Sequence, residues 1–390
     1  MHFLLYTGEV SGLTDKAGAG VLFVKRWVGA FGRVAVVWGA VASVCIAMVA
    51  EARPVKPVTT VGSGAAAQFK TVQAAVDAAP KQGSIIRIAP GRYREKITIA
   101  KDGIELVGTG TTAEKVVLTY DDGARFVGGT GKSGSVNVSG DDFVAENLTI
   151  QNDFERTHDR REEGSQAVAL MLTGDRAILR KVRLLGYQDT LYASSKFCHA
   201  PEDASSSKPC HASRQLFSDC YIEGHVDFIF GDAKAVFDHC EIHAVANPEA
   251  MLTAQSRLYP AEDSGYLFLR CTITAAAGVG KLVLGRPWRG YSTVYWIDST
   301  LKGAKLDPAG WQEWSGKLAT SSYGEFDTMH ADGTPEDTSR RIAPSRQLSA
   351  AEARRLTVGA WLAGPDGWDP ERTPEAELSS QAESRSQNNQ

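Results

Sequence analysis

No dense block of lysine and arginine runs through this 390-residue chain, whose 42 basic and 46 acidic residues leave a formal net charge of −4. Nucleic acid is therefore not an expected partner. No long helical pattern stands out, and 38 glycines against 15 prolines suit short strands joined by tight turns. No H-E-x-x-H or G-x-S-x-G motif occurs, which removes the usual support for a zinc peptidase or a serine hydrolase. The stretch GGTGKSGS imitates a phosphate loop, but a Walker A motif needs glycine five residues before Gly131, where Phe126 stands. No metal and no cofactor are expected. What is present is ordinary for a soluble globular protein: 43% hydrophobic and 23% charged residues, enough to build a sizeable core.

Lys25, Arg26 and Arg33 precede Val34–Val49, an uncharged apolar run of 16 residues followed by Ala50-Glu51-Ala52. A basic segment, an apolar segment and an A-x-A site read as a secretory signal cleaved near Ala52. The run is shorter than the ~20 residues of a spanning helix. Residues 1–52 are thus expected to be a leader, 53–370 a folded domain and 371–390 a polar disordered tail. Translation is expected to start further in, near Val21 or Val24. The product is expected to be exported, free of the membrane after cleavage, and monomeric.

FKTVQAAVDAAP places apolar residues at 69, 72, 75, 76 and 79, which predicts an amphipathic helix ended by Pro80 and capping the core. SIIRIAPGRYREKITIA predicts two short strands about a Pro-Gly turn, and IELVGTG another. Beyond them a ten-residue theme recurs: FVAENLTIQN (143–152), AILRKVRLLG (177–186), QLFSDCYIEG (215–224), AVFDHCEIHA (235–244), YLFLRCTITA (266–275) and, more loosely, VYWIDSTLKG (294–303). The intervals of 34, 38, 20, 31 and 28 residues describe a solenoid whose coils differ by inserted loops. The unit reads as a strand, so the expected class is all-β: a right-handed single-stranded parallel β-helix with a short N-terminal capping helix. Past Trp314 the pattern fades, and Ser345–Ala360 predicts one short helix.

Six cysteines are present, of which Cys45 falls in the leader. Cys220, Cys240 and Cys271 hold one place in three successive copies, so they should stack on adjacent coils, and a Cys220–Cys240 bridge is expected. Cys198 and Cys210 flank the polar insert HAPEDASSSKP and predict a second bridge. A zinc site with His199 and His211 is the weaker reading, since exported cysteines usually oxidise.

Few polar side chains sit inside apolar runs: Gln166 in SQAVAL, Gln188 and Asp189 in GYQDTLYAS, Asp227 in HVDFIFG, and Arg286 in LGRPW with Trp288 beside it. A buried carboxylate is costly unless paired or hydrogen-bonded. On adjacent coils these side chains would share one groove. Two carboxylates with no metal-ligand set suggest an acid and a nucleophile, one proton-bearing and one ionised. The two amides offer donors for an oxyanion, each worth about 3 kcal/mol. That is acyl-transfer chemistry with Asp in place of Ser.

Here a resemblance becomes specific. GRYREKI, SQAVAL, YQDTLY, GHVDFIFG and LGRPW, in this order, resemble pectin methylesterases (pectinesterases), and the likeness spans about four-fifths of the chain. It is similar to the single-domain bacterial-like form. The resemblance implies hydrolysis of the C6 methyl esters of homogalacturonan to pectate and methanol. It implies Asp227 as nucleophile, Asp189 as general acid and then base, and Gln166 and Gln188 as oxyanion donors. Arg286 would orient Asp227 and bind carboxylate, Trp288 would stack sugar, and Phe230 and Val226 would line the cleft. The Cys220–Cys240 pair also resembles a bridge of bacterial members. Two features depart from the pattern: TAQSR (253–257) replaces TAQGR, and the Cys198–Cys210 insert follows the QDTLY strand. The rival readings are a pectate lyase or polygalacturonase on the same fold, and a carbohydrate-binding or envelope protein with little or different ester hydrolase activity.

Overall fold

The computed structural model describes residues 56–158, 164–196 and 210–372, which belong to a compact unit beginning at Pro54. The expected signal segment, the start near Val21 or Val24, Cys198 and His199, and the tail from residue 373 lie outside these residues. No helix among the described residues is long and apolar enough to cross a membrane.

Three long parallel sheets of eleven, nine and six strands carry the chain. Each coil lends one short strand to each sheet in turn, and the result is a right-handed parallel β-helix. The spacing of the sequence copies equals the hydrogen-bonded register. Ile178 pairs with Val144 and Leu216, Leu216 with Val236, Val236 with Leu267, and Leu267 with Tyr295. The loose sixth copy is therefore fully in step with the fifth.

Each copy differs from expectation in one respect: it is two strands around a corner. The copy 215–224 divides into Arg214–Ser218 in the eleven-stranded sheet and Tyr221–Gly224 in the nine-stranded one. The corner is made by one left-handed residue per coil: Asn147, Lys181, Asp219, His239, Arg270 and Asp298, with φ of 52° or 53°. Left-handed backbone costs a non-glycine residue roughly 1–2 kcal/mol. It is sustained because each corner N–H donates to a carbonyl of the next coil, as Asp219 does to Asp238 and His239 to Leu269.

Equivalent side chains stack inside the coils. Phe217, Phe237, Phe268 and Trp296 form a column of parallel rings with centroids 4.7, 4.4 and 3.8 Å apart. Beside it Ile222, Ile242, Ile273 and Leu301 pair in register. Truncating the middle of the ring column, Phe237→Ala, is expected to cost about 3–5 kcal/mol of unfolding free energy by chemical denaturation. The eleven-stranded sheet is covered on its outer face as well, where Leu216, Val236, Leu267 and Ile297 meet Val358 and Leu362. Strand Gly265–Leu269 is accordingly buried at every position, which is why YLFL lacks polar alternation.

The N-terminal helix spans Val72–Ala78, with Thr71 accepting from Ala74 N–H and Glu95 from the N–H groups of Val72 and Gln73. SIIRIAPGRYREKITIA makes three strands, one for each sheet: Ser84–Ile88, Gly91–Arg94 and Ile97–Ile99. The pattern persists past Trp314, since Ser322–Phe326 pairs with Thr293–Ile297. Ser345–Ala360 is not one helix. Ala350–Ala353 carries a capping box from Ser349 and Glu352, and Thr357 caps a separate helix, Val358–Leu362, by accepting from Ala360 N–H.

The expected Cys220–Cys240 bridge is absent: Cys220, Cys240 and Cys271 are all free and buried. They stack on successive coils as expected, but the thiols are directed at backbone carbonyls of the neighbouring coil. Cys220 faces Leu179 O, Cys240 faces Phe217 O, and Cys271 faces Phe237 O. A bridge needs a Cβ–S–S–Cβ dihedral near 90°, which side chains stacked in parallel do not offer without rotation. Burial and the flanking thiols push the Cys240 thiol well above its ordinary pKa, so it stays protonated. Cys210 is disulfide-bonded, and Cys198, its expected partner, lies outside the described residues.

Candidate active site

A cleft of about 480 Å³ lies on the six-stranded sheet. Its acids come from the bends that enter two paired strands. Leu191 pairs with Ile229, so Asp189 and Asp227, each two residues upstream, occupy equivalent places on adjacent coils. Parallel strands lie about 4.8 Å apart, which brings two carboxylates together. Both residues are left-handed, with φ of 64° and 52°, a conformation Asp tolerates better than most side chains. Asp189 N–H donates to Val226 O, which locks one bend to the other.

Asp227 is gripped by Arg286, whose Nε and Nη2 donate to Oδ1 and Oδ2 at 2.8 and 2.7 Å. The guanidinium in turn lies 4.2 Å from the centroid of the Trp314 ring, with Lys317 on the same ring at 4.9 Å. A bidentate pair of this kind aligns the carboxylate plane as well as neutralising it.

The two acids differ in their surroundings. Burial pushes the Asp227 carboxyl above its usual range, and the hydrogen bonds and charge of Arg286 pull it back. Asp189 is pushed well above that range, by burial first and then by the charge of Asp227. Arg286 opposes this only at a distance, and Glu155 adds to it. Asp189 therefore holds its proton to higher pH than Asp227 does.

Gln166 and Gln188 both line the cleft beside these acids. The Ser165 hydroxyl donates to Gln188 Oε1 at 3.4 Å, which directs the amide N–H₂ away from Ser165 and leaves it to donate elsewhere. Trp288 and Phe230 join Tyr192 in an aromatic wall, with Tyr192 and Phe230 stacked at 4.3 Å and Trp288 edge-on to Phe230 at 5.9 Å. Such a wall suits the C–H faces of sugar rings.

Of the residues singled out in the sequence, the cleft gathers Asp227, Asp189, Gln166, Gln188, Arg286, Trp288 and Phe230. Val226 is not among its lining residues; its main chain instead joins the two bends. Sequence reasoning missed Tyr192, Trp314, Thr130 and Gly131 as lining residues. Tyr192 closes YQDTLY and could have been found there. Thr130 and Gly131 lie in the stretch dismissed as a false phosphate loop, and Trp314 stands where the repeat weakens. Among the described residues no group of three or more His, Cys, Asp or Glu is placed to hold a metal ion.

A family model for pectinesterase matches residues 58–201 and 205–365. The chain belongs to the pectinesterase family. Pectinesterase 31 of Arabidopsis thaliana is 36% identical over 306 residues, covering 75% of this chain and 87% of the relative. A pectin methylesterase from carrot matches the fold with a TM-score of 0.67 at 31% identity, over 80% of this chain and 95% of that one. A pectin methylesterase solved in complex with a hexasaccharide matches with a TM-score of 0.63 at 25% identity, over 81% and 98%. Pectinesterases are carboxylic ester hydrolases, and so is this chain. Within this pectinesterase, Trp314 backs the guanidinium that grips Asp227. Trp314→Ala is expected to lower turnover about tenfold while the melting temperature moves by only a few degrees, measured by initial rates and thermal unfolding.

Proposed function

We propose that this pectinesterase hydrolyses the C6 methyl esters of homogalacturonan to pectate and methanol, with Asp227 as the nucleophile. The observation that carries the reading is the Arg286–Asp227 fork beside the more proton-retentive Asp189, in a cleft that also holds two amides. Ionised Asp227 attacks the ester carbonyl carbon, and its displaced electron pair collects on the carbonyl oxygen. Gln166 and Gln188 donate N–H bonds to that oxyanion. As the intermediate collapses, the bond to the methoxy oxygen breaks, Asp189 delivers its proton there, and methanol leaves. Asp227 is then joined to the galacturonyl group as an anhydride. Asp189, now ionised, takes a proton from water as its oxygen attacks the galacturonyl carbon. Carboxylate product departs and Asp227 is regenerated.

The aromatic wall of Tyr192, Phe230 and Trp288 is proposed to hold the sugar chain, a reading supported by the hexasaccharide-bound relative. Arg286 is proposed to bind carboxylate as well as to orient Asp227. The protein is proposed to act as an exported monomer. The apolar segment with its A-x-A site and the disulfide-bonded Cys210 support export, and the folded domain is proposed to span 53–370 between the leader at 1–52 and a polar tail.

Highly methylated homogalacturonan tests the reading. Methanol and acid should appear in equal amounts, with no ultraviolet-absorbing product. Unsaturated products absorbing in the ultraviolet would make the protein a lyase, and binding with no methanol would make it a carbohydrate-binding protein.

A further inference from the structure

His225 stands inside GHVDFIFG, yet no step of the proposed chemistry uses it. Its side chain is 5% exposed, and its Nε2 lies 3.1 Å from Oε2 of Glu155, whose side chain is 1% exposed. The backbone N–H of Val226 donates to His225 Nδ1 at 2.7 Å. A ring nitrogen that accepts carries no proton, so the imidazole proton sits on Nε2 and is donated to the carboxylate. The other oxygen of Glu155 accepts from the Gln188 backbone N–H at 3.4 Å. One carboxylate, from the short helix Phe154–Thr157, therefore touches both bends of the cleft. The His225 backbone N–H donates to Tyr187 O, reciprocating the bond from the Asp189 backbone N–H to Val226 O. The approach is close: a Cβ on Gly224 would lie 2.5 Å from Tyr187 O and 2.3 Å from the Phe228 Cβ.

We propose that Glu155 and His225 form a buried positioning pair that holds the Gln188–Asp189 bend against the Val226–Asp227 bend. The proposal rests on the esterase reading of the cleft. It explains how two left-handed acids on adjacent coils keep one geometry, since a third coil clamps both.

The pair also carries charge. An imidazolium would set an Nδ1–H against the Val226 N–H, and only a ring with its proton on Nε2 both accepts from Val226 and donates to Glu155. Among the described residues, Asp189 is subject to the charges of Asp227, Arg286 and Glu155. Glu155 is faced by His225 and Tyr187, and Tyr187 feels Arg156, Glu223 and Asp153 as well as Glu155. The negative charge on Glu155 favours the protonated form of Asp189, the form needed to deliver a proton to methanol. Removing it should let Asp189 ionise at lower pH.

The test is steady-state kinetics of the full chain on methylated homogalacturonan, comparing wild type, Glu155→Gln, His225→Asn and the double variant. Glu155→Gln should melt within a few degrees of wild type. Its kcat should fall about tenfold with KM changed less than twofold. The alkaline limb of its pH–rate profile should move down by about half a pH unit. The double variant should be no worse than the poorer single, because both changes break one clamp. Unchanged kcat and an unmoved alkaline limb in Glu155→Gln, or additive losses in the double variant, would overturn the proposal. Failure of the esterase reading shows separately, as absence of methanol from wild type. Independent of activity, ¹⁵N spectra of wild type at neutral pH should show the His225 Nε2–H tautomer; an Nδ1–H tautomer or an imidazolium would also overturn the pair.

Discussion

Methanol release by Asp227→Ala is expected to fall by about 10⁴-fold or more, since loss of an attacking group removes a step that binding alone cannot replace. Pectin binding should survive, because the wall of Tyr192, Phe230 and Trp288 is untouched. Alanine also strips Arg286 of its bidentate partner in a poorly solvated cleft, which adds a stability cost unrelated to chemistry. Asp227→Asn separates the two effects. Its amide oxygen still accepts from the guanidinium, yet it has no carboxylate to attack with. Equal inactivation of both variants, with the asparagine form melting nearer to wild type, is the expected pattern. Turnover surviving in either would remove Asp227 from the chemistry.

Asp189→Asn should lose about 10³–10⁴-fold in turnover with little change in pectin binding. On the proposed mechanism the loss has two parts, since the same side chain would deliver a proton to the departing methoxy oxygen and later take one from water. A poor leaving group needs the proton and a good one does not. An ester of a more acidic alcohol, such as trifluoroethanol, should therefore recover part of the first step in the variant. Release of methanol from one ester and of trifluoroethanol from the other, with single-turnover rates, measures this. Equal loss of binding would make Asp189 structural, and equal impairment on both esters would remove its role as proton donor. Burial raises both acids; the contrast is that the charge of Asp227 raises Asp189 further, whereas Arg286 hydrogen-bonds Asp227 and opposes the shift of Asp189 only through space.

Much of this architecture was legible because its causes are local. Apolar residues recurring at Val144, Ile178, Leu216, Val236 and Leu267 mark positions that must face the same way on successive coils, so their spacing equals the register. The corners were not legible. Asn and Asp advertise left-handed backbone, but Lys181, His239 and Arg270 do not; they adopt it because the neighbouring coil supplies an acceptor. The cysteine spacing correctly placed Cys220, Cys240 and Cys271 in one column, but not the direction of each Sγ, and the thiols turn to carbonyls. In the cleft, Asp189, Asp227 and Arg286 stood out as charges inside apolar runs, where burial is costly without a partner. Trp314, Thr130 and Gly131 carry no such signature, as their place in the cleft comes from loops whose paths tertiary packing decides.

The proposed division of labour between the two acids is open to direct observation by ¹³C carboxyl titration of the wild-type protein, with Asp189→Asn and Asp227→Asn assigning the signals. At the pH of maximal methanol release, Asp189 should be protonated and Asp227 ionised, with Asp189 giving up its proton last. An Asp227 that titrates above Asp189, or two ionised carboxylates at that pH, would contradict the assignment of nucleophile and acid.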